Sequence, residues 1–168
     1  VETGDQVIDA EGKLVWPGVI DAHTHMALPM KGTTSSDSFF TGTRAAAHGG
    51  VTTIIDFTEM ASGSALAKAF AARKKQAMGT CAIDFGLHVC IQGWSKRTAD
   101  QIPRLIDKGV TSFKMFTVYR ERGLMSEDGE IFEALQAISK HGGTVTAHCE
   151  SAGLVDAYTA RVLAGKDK

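Results

Sequence analysis

The stretch Val51-Thr52-Thr53-Ile54-Ile55-Asp56-Phe57 follows Gly49-Gly50 and is dense in β-branched residues, which suit a pleated, half-buried surface. It reads as a strand, and its flanks decide the fold. Upstream, Phe39 to His48 reads as a helix capped by Ser36 or Asp37 and stopped by the glycine pair. Downstream, Ser64 to Met78 is Ala-rich with basic residues late, a helix ending at Gly79. The pattern then repeats. Strands are expected at Cys81 to Ile91, Thr111 to Phe116 and Thr144 to His148. Helices are expected from Thr98 or Ala99 to Lys108 (starting near Pro103), from Glu127 to His141, and from Ser151 to Leu163. Strand–helix units without hairpin signals between them imply right-handed crossovers and a parallel sheet. A (β/α)8 barrel takes about 250 residues. The α/β fold expected here is therefore a partial (β/α)8 TIM barrel of about the first five β/α units, or an open sheet that stops early.

Farther upstream, Gln6 to Ala10 and Lys13 to Val15 flank Glu11-Gly12 and read as a short β hairpin. Val19 to Thr24 reads as the first barrel strand. The organisation expected is a hairpin at residues 1–17 followed by barrel at 18–168.

The 168 residues carry a formal net charge of -1 and are 43% hydrophobic, enough for a sizeable core and without the basic clusters that nucleic acid would require. No apolar run approaches the ~18–20 residues of a membrane span, so no membrane partner is expected. Three cysteines, Cys81, Cys90 and Cys149, lack zinc-ribbon spacing and fit reduced thiols in the cytoplasm. Cys149 follows a histidine on a strand, so it should point away from that histidine and pack. No Gly-x-Gly-x-x-Gly follows a strand, which leaves dinucleotide binding unsupported.

Chemistry concentrates at strand ends. His23 and His25 alternate on the first strand and should project together, where two neutral imidazoles can share one metal ion; two ordinary strand-end histidines would look the same. Lys114 lies among Phe113, Met115 and Phe116, and burial there would favour the neutral amine, which can add carbon dioxide to form a carbamate. A lysine reaching out to solvent is the plainer alternative. His148 ends the fifth strand. In a barrel these ends form the active-site face.

Asp21-Ala22-His23-Thr24-His25, Ser112-Phe113-Lys114-Met115-Phe116 and Thr146-Ala147-His148-Cys149-Glu150 together resemble the amidohydrolase superfamily, most closely its dihydropyrimidinase and hydantoinase branch. Lys13 to Gly18, Ser36 to Ala46 and Gly50 to Phe57 resemble that branch's flanking segments. The resemblance implies that His23 and His25 bind the more buried of two divalent ions. Lys114, as its carbamate (N6-carboxylysine), would bridge both, and His148 would bind the second. Zinc is the first expectation for the ions, with manganese, cobalt or iron as alternatives. It further implies a bridging hydroxide that attacks a cyclic amide carbonyl, Tyr119 as the donor to the developing oxyanion, and Leu28, Met30 and Phe116 around the substrate's exocyclic substituent.

The implied substrates are hydantoins or dihydropyrimidines, opened to N-carbamoyl amino acids. An allantoinase-like hydrolase and a non-catalytic dihydropyrimidinase-like scaffold protein are the alternatives. Ala27 stands where dihydroorotases usually carry an arginine, which counts against those. The family also needs a metal-binding histidine on a sixth strand and an aspartate on an eighth. Neither can be assigned here, so the chain is expected to be an internal N-terminal-half fragment, inactive alone, of a homo-oligomer that is a tetramer by resemblance. The hairpin would then be a remnant of the family's small β-sandwich domain. His48, His88 and His141 are read as structural or surface residues.

Overall fold

A computed structural model describes residues 6–30 and 32–165, with Met30 described by its backbone alone. The elements in chain order are β1 (Val19–Thr24), β2 (Pro29–Met30), β3 (Thr33–Thr34), α1 (Phe39–His48), β4 (Val51–Phe57), α2 (Ala65–Ala77), β5 (Asp84–Cys90), α3 (Lys96–Ala99), α4 (Ile102–Ile106), β6 (Ser112–Phe116), α5 (Asp128–Ser139), β7 (Thr144–His148) and α6 (Ala152–Leu163). Five strands form one parallel sheet in the order β1-β4-β5-β6-β7, while β2 and β3 make a separate antiparallel ribbon. Each strand of the large sheet thus lies beside the next in sequence. A doubly wound sheet reverses its strand order at a switch point; this one does not, which is the order of a barrel wall.

Alternation along the strands sorts the residues between two faces. Leu87 and Val89 of β5, Phe113 and Met115 of β6, and Val145 of β7 join Leu66 and Phe70 of α2, Leu105 of α4 and Ile138 of α5 in the main core. The intervening residues, His88, Cys90, Lys114, Thr146 and His148, therefore face the other way. The register ties them together, with Cys90 level with Lys114, Lys114 with Thr146, and Phe116 with His148. One side of the sheet is core, and the other carries the chemistry.

Several local expectations are corrected. Residues 6–18 contain no strand, only a turn closed by Lys13 N–H donating to the Ala10 carbonyl (2.9 Å). An isolated two-stranded hairpin is marginal in water, and Val7, Ile8, Leu14 and Val15 find nothing among the described residues to pack on, each remaining 74–82% exposed. The α1 cap is Ser38, whose hydroxyl accepts from Thr41 N–H (3.2 Å) while Thr41 Oγ1 accepts from Ser38 N–H (3.0 Å). The helix expected from Thr98 or Ala99 to Lys108 is two short ones, because Ser95 caps α3 and Pro103 falls in the first turn of α4.

Candidate active site at the strand ends

β1 carries His23, and His25 follows one residue past its end, with the two imidazoles converging. His23 Nε2 and His25 Nε2 lie 3.2 Å apart. That separation fits an N–H···N hydrogen bond. It also fits two nitrogens each about 2.0–2.1 Å from one tetrahedral ion, which are roughly 3.3 Å apart. Burial first, then neighbouring positive groups (Lys114 among them), pulls both imidazoles below their ordinary range, toward the neutral form that a metal requires. The Phe57 ring stands behind the pair, its centroid 4.6 Å from His23 and 4.7 Å from His25.

Lys114, in the middle of β6, is 5% exposed. Among the described residues its amine makes no ion pair or hydrogen bond; it lies 5.1 Å from the Phe116 ring centroid and 5.8 Å from that of Phe57. Burial pulls its pKa down, only partly offset by Cys90 and Cys149. An amine held like this is the nucleophile that carbon dioxide needs.

His148 is fixed from one side of its ring. Nε2 lies 2.6 Å from a Glu150 carboxylate oxygen and 3.3 Å from the Tyr119 hydroxyl. The carboxylate accepts from Nε2–H; in a neutral ring that leaves Nδ1 with its lone pair, the arrangement in which a carboxylate orients a ligating histidine. Tyr119 itself adopts a left-handed conformation, φ 69° and ψ 44°, which costs a non-glycine residue roughly 1–3 kcal/mol and is found disproportionately at functional sites. Its loop is tied to β7 by Thr117, whose hydroxyl meets the carbonyls of His148 (2.9 Å) and Glu150 (2.7 Å).

A cavity of about 700 Å³ gathers His23, His25, Lys114, His148, Tyr119, Leu28 and Phe116 on one wall system, within the size of small-molecule sites. Seven of the eight site residues expected from sequence thus share one space; the side chain of the eighth, Met30, lies outside the described residues. His48 and His141 are exposed. His88 is buried, donating from Nε2 to the Ala22 carbonyl (2.9 Å) while Nδ1 meets Ser112 Oγ (2.6 Å), so it braces β1 against β6.

One expectation fails. Cys149 is exposed rather than packed, because β7 ends at His148 and the next residue has left the ladder. Sequence reasoning also missed Glu150, although its place two residues after His148 was a signal, and missed Asp56, which no local pattern marks.

Among the described residues no three His, Cys, Asp or Glu side chains cluster to hold an ion. The donor set fits metal only if Lys114 supplies oxygen ligands as its carbamate. Its unpartnered amine and the converging imidazoles fit that requirement.

The sequence profile of the amidohydrolase family matches residues 14–167. The chain is 42% identical to a D-hydantoinase of Streptomyces coelicolor over 162 residues, covering 96% of this chain and 34% of that protein. It is 39% identical to a dihydropyrimidinase of Rattus norvegicus, covering 96% of this chain and 31% of that one. The crystallised D-hydantoinase of Bacillus sp. AR9 superposes with a TM-score of 0.89 at 37% identity, over 98% of this chain and 36% of its own. The chain spans about a third of the length of these relatives.

Proposed function

The chain belongs to the amidohydrolase family, and from that membership we propose that the whole protein is a metal-dependent hydrolase of cyclic amides, opening hydantoin or dihydropyrimidine rings to N-carbamoyl amino acids. The observation that carries the reading is Lys114, a buried amine with no ion pair among the described residues, on the cavity wall beside three histidines. In this reading the neutral amine adds carbon dioxide, forming an N–C bond and losing one proton, and the carbamate oxygens would join His23, His25 and His148 as part of the donor set. Two divalent ions, zinc in the first instance, would supply an activated water and polarise the substrate carbonyl.

The remaining roles fall to the chain. The Tyr119 hydroxyl, on the cavity wall, would donate to the oxygen of the carbonyl as it becomes tetrahedral. Leu28 and Phe116 supply apolar wall for the ring's exocyclic substituent, and Met30 is assigned there by resemblance. Residues 18–168 form the first part of the barrel in this reading, and residues 1–17 a remnant of the small β-sandwich domain. The protein is proposed to work as a homo-oligomer, a tetramer by resemblance. Three free cysteines support a reducing compartment, the cytoplasm. Among the described residues no helix is long and apolar enough to cross a membrane.

The test is Lys114→Met in the whole protein, assayed for metal per subunit and for ring opening of dihydrouracil and 5-substituted hydantoins. Metal content should fall, and kcat/KM should drop by more than the ~10–100-fold that loss of an outer partner costs. The melting temperature of the metal-free protein should hold or rise, because a thioether replaces a buried amine that has no hydrogen-bond partner among the described residues. Full metal content and full activity in this variant would overturn the reading.

A further inference from the structure

Asp56, next to last in β4, is 0% exposed. Oδ1 accepts from Arg73 Nε (3.0 Å), from Arg73 Nη2 and from Phe57 N–H (2.7 Å). Oδ2 accepts from Thr24 Oγ1 (3.1 Å) and Met26 N–H (2.8 Å). Arg73 Nη2 also reaches the Met26 carbonyl. The residues on both sides of His25 are therefore held by one buried ion pair, Met26 through both its backbone N–H and its carbonyl.

The pair is itself locked. Arg73 Nη1 donates to Gln76 Oε1 (2.8 Å), and its guanidinium lies 4.5 Å from the Phe39 ring centroid. Helix α1 closes over Met26 so tightly that a Cβ added to Gly42 would lie 2.4 Å from the Met26 sulfur. Phe57, whose N–H is bound to Asp56, is the ring against which His23 and His25 rest. An ion pair that only pinned α2 to β4 would need none of the bonds to Thr24 and Met26.

We propose that Asp56, held by Arg73, is a positioning residue that sets the convergence of His23 and His25 on one metal ion. It acts through the backbone of Thr24–Met26 and the ring of Phe57. The inference rests on the reading of the two histidines as metal ligands. Its consequence is that metal affinity should depend on a carboxylate belonging to another strand's helix-facing side.

The test uses the whole protein as purified. Thr24→Val removes one bond to Asp56 at nearly constant shape, Thr24→Ser restores it, and Asp56→Asn weakens the clamp itself. Leu66→Ala, fully buried in the main core on the same helix as Arg73, is the control for stability loss alone. Three quantities are measured: apparent metal affinity by chelator competition, the visible spectrum of the cobalt-substituted protein, and the melting temperature of the metal-free protein. Thr24→Val should weaken metal binding by about 10–100-fold and shift the cobalt bands. Thr24→Ser should return both, and Leu66→Ala should lower the melting temperature at least as far while leaving metal affinity within about twofold of wild type. If Asp56→Asn fails to fold, the Thr24 pair decides. Should the wild-type protein take up no metal, the reading of the site falls and this inference with it. If the wild type binds metal and Thr24→Val binds it equally tightly with an unchanged cobalt spectrum, the positioning role alone is overturned.

Discussion

The two ends of the histidine set stand on differently built supports. His23 lies on β1 and His25 one residue past its end, and behind them are the fully buried Asp56, the Phe57 ring, and His88 bonded to the Ala22 carbonyl. His148 ends β7, and its orienting partner Glu150 is a half-exposed carboxylate two residues on. The first pair is placed by groups from β4, β5 and α2. The second site is placed by its own neighbour two residues on and by the Tyr119 loop. Buried polar contacts hold geometry firmly because a broken one leaves an unpaired group in a medium that cannot solvate it, whereas water replaces an exposed partner cheaply. One end of the site is thus preorganised by the core, and the other is adjustable.

The largest contrast should show in the thiols. Cys90, level with Lys114 at the centre of the sheet, has its thiol pushed up to about 12 by burial. At pH 8 a thiol of that pKa is thiolate to about one part in ten thousand, so alkylation should run roughly 10³-fold slower than for an ordinary thiol of pKa ≈ 8.5. Cys149 is exposed beside His148. Iodoacetamide labelling of the folded protein, read peptide by peptide in the mass spectrometer, should modify Cys149 first and leave Cys90 unmodified. Raising the pH from 7 to 9 should speed any Cys90 reaction about tenfold per unit, since its titration lies higher still. Equal labelling of the two would erase the contrast between centre and edge.

Stability should divide the same way. Asp56→Asn leaves Arg73 buried without its counter-charge and should cost about 3–5 kcal/mol. Glu150→Gln breaks a half-exposed contact and should cost less than about 1 kcal/mol. Urea denaturation of the whole protein measures both, and similar midpoints for the two variants would show the supports to be equivalent.

Much of this arrangement was legible in the sequence because it is periodic. Alternation in a strand puts His23 with His25, and a lysine between Phe113 and Met115 on the face opposite the core. Repetition of strand and helix gives the parallel sheet, and α1 falls at Phe39–His48 as its composition dictates. What escaped was non-local or depended on a single turn. Asp56 reads as one polar residue in a β-branched run; its partners Thr24 and Met26 lie 32 and 30 residues away and Arg73 lies 17 away. The hairpin at residues 6–15 had the right pattern but no surface among the described residues to cover it. Cys149 followed strand logic one residue past the point where the strand stops.

The smallest effect expected tests whether the adjustable side carries a defect. Ser126 closes the Tyr119 loop, its N–H donating to the Phe116 carbonyl (2.8 Å), and the residue is 1% exposed. Its hydroxyl has no hydrogen-bond partner among the described residues. A buried hydroxyl left unpaired costs about 1–3 kcal/mol, while the backbone bond at the same residue does not depend on the side chain. Ser126→Ala should therefore raise stability by about 1 kcal/mol, less than the full cost because the small cavity left behind offsets part of the gain. A midpoint shifted to higher urea is the expected result. A midpoint shifted to lower urea would mean that the hydroxyl has a partner in solution, and that the loop carrying Tyr119 is held as firmly as the Asp56 side.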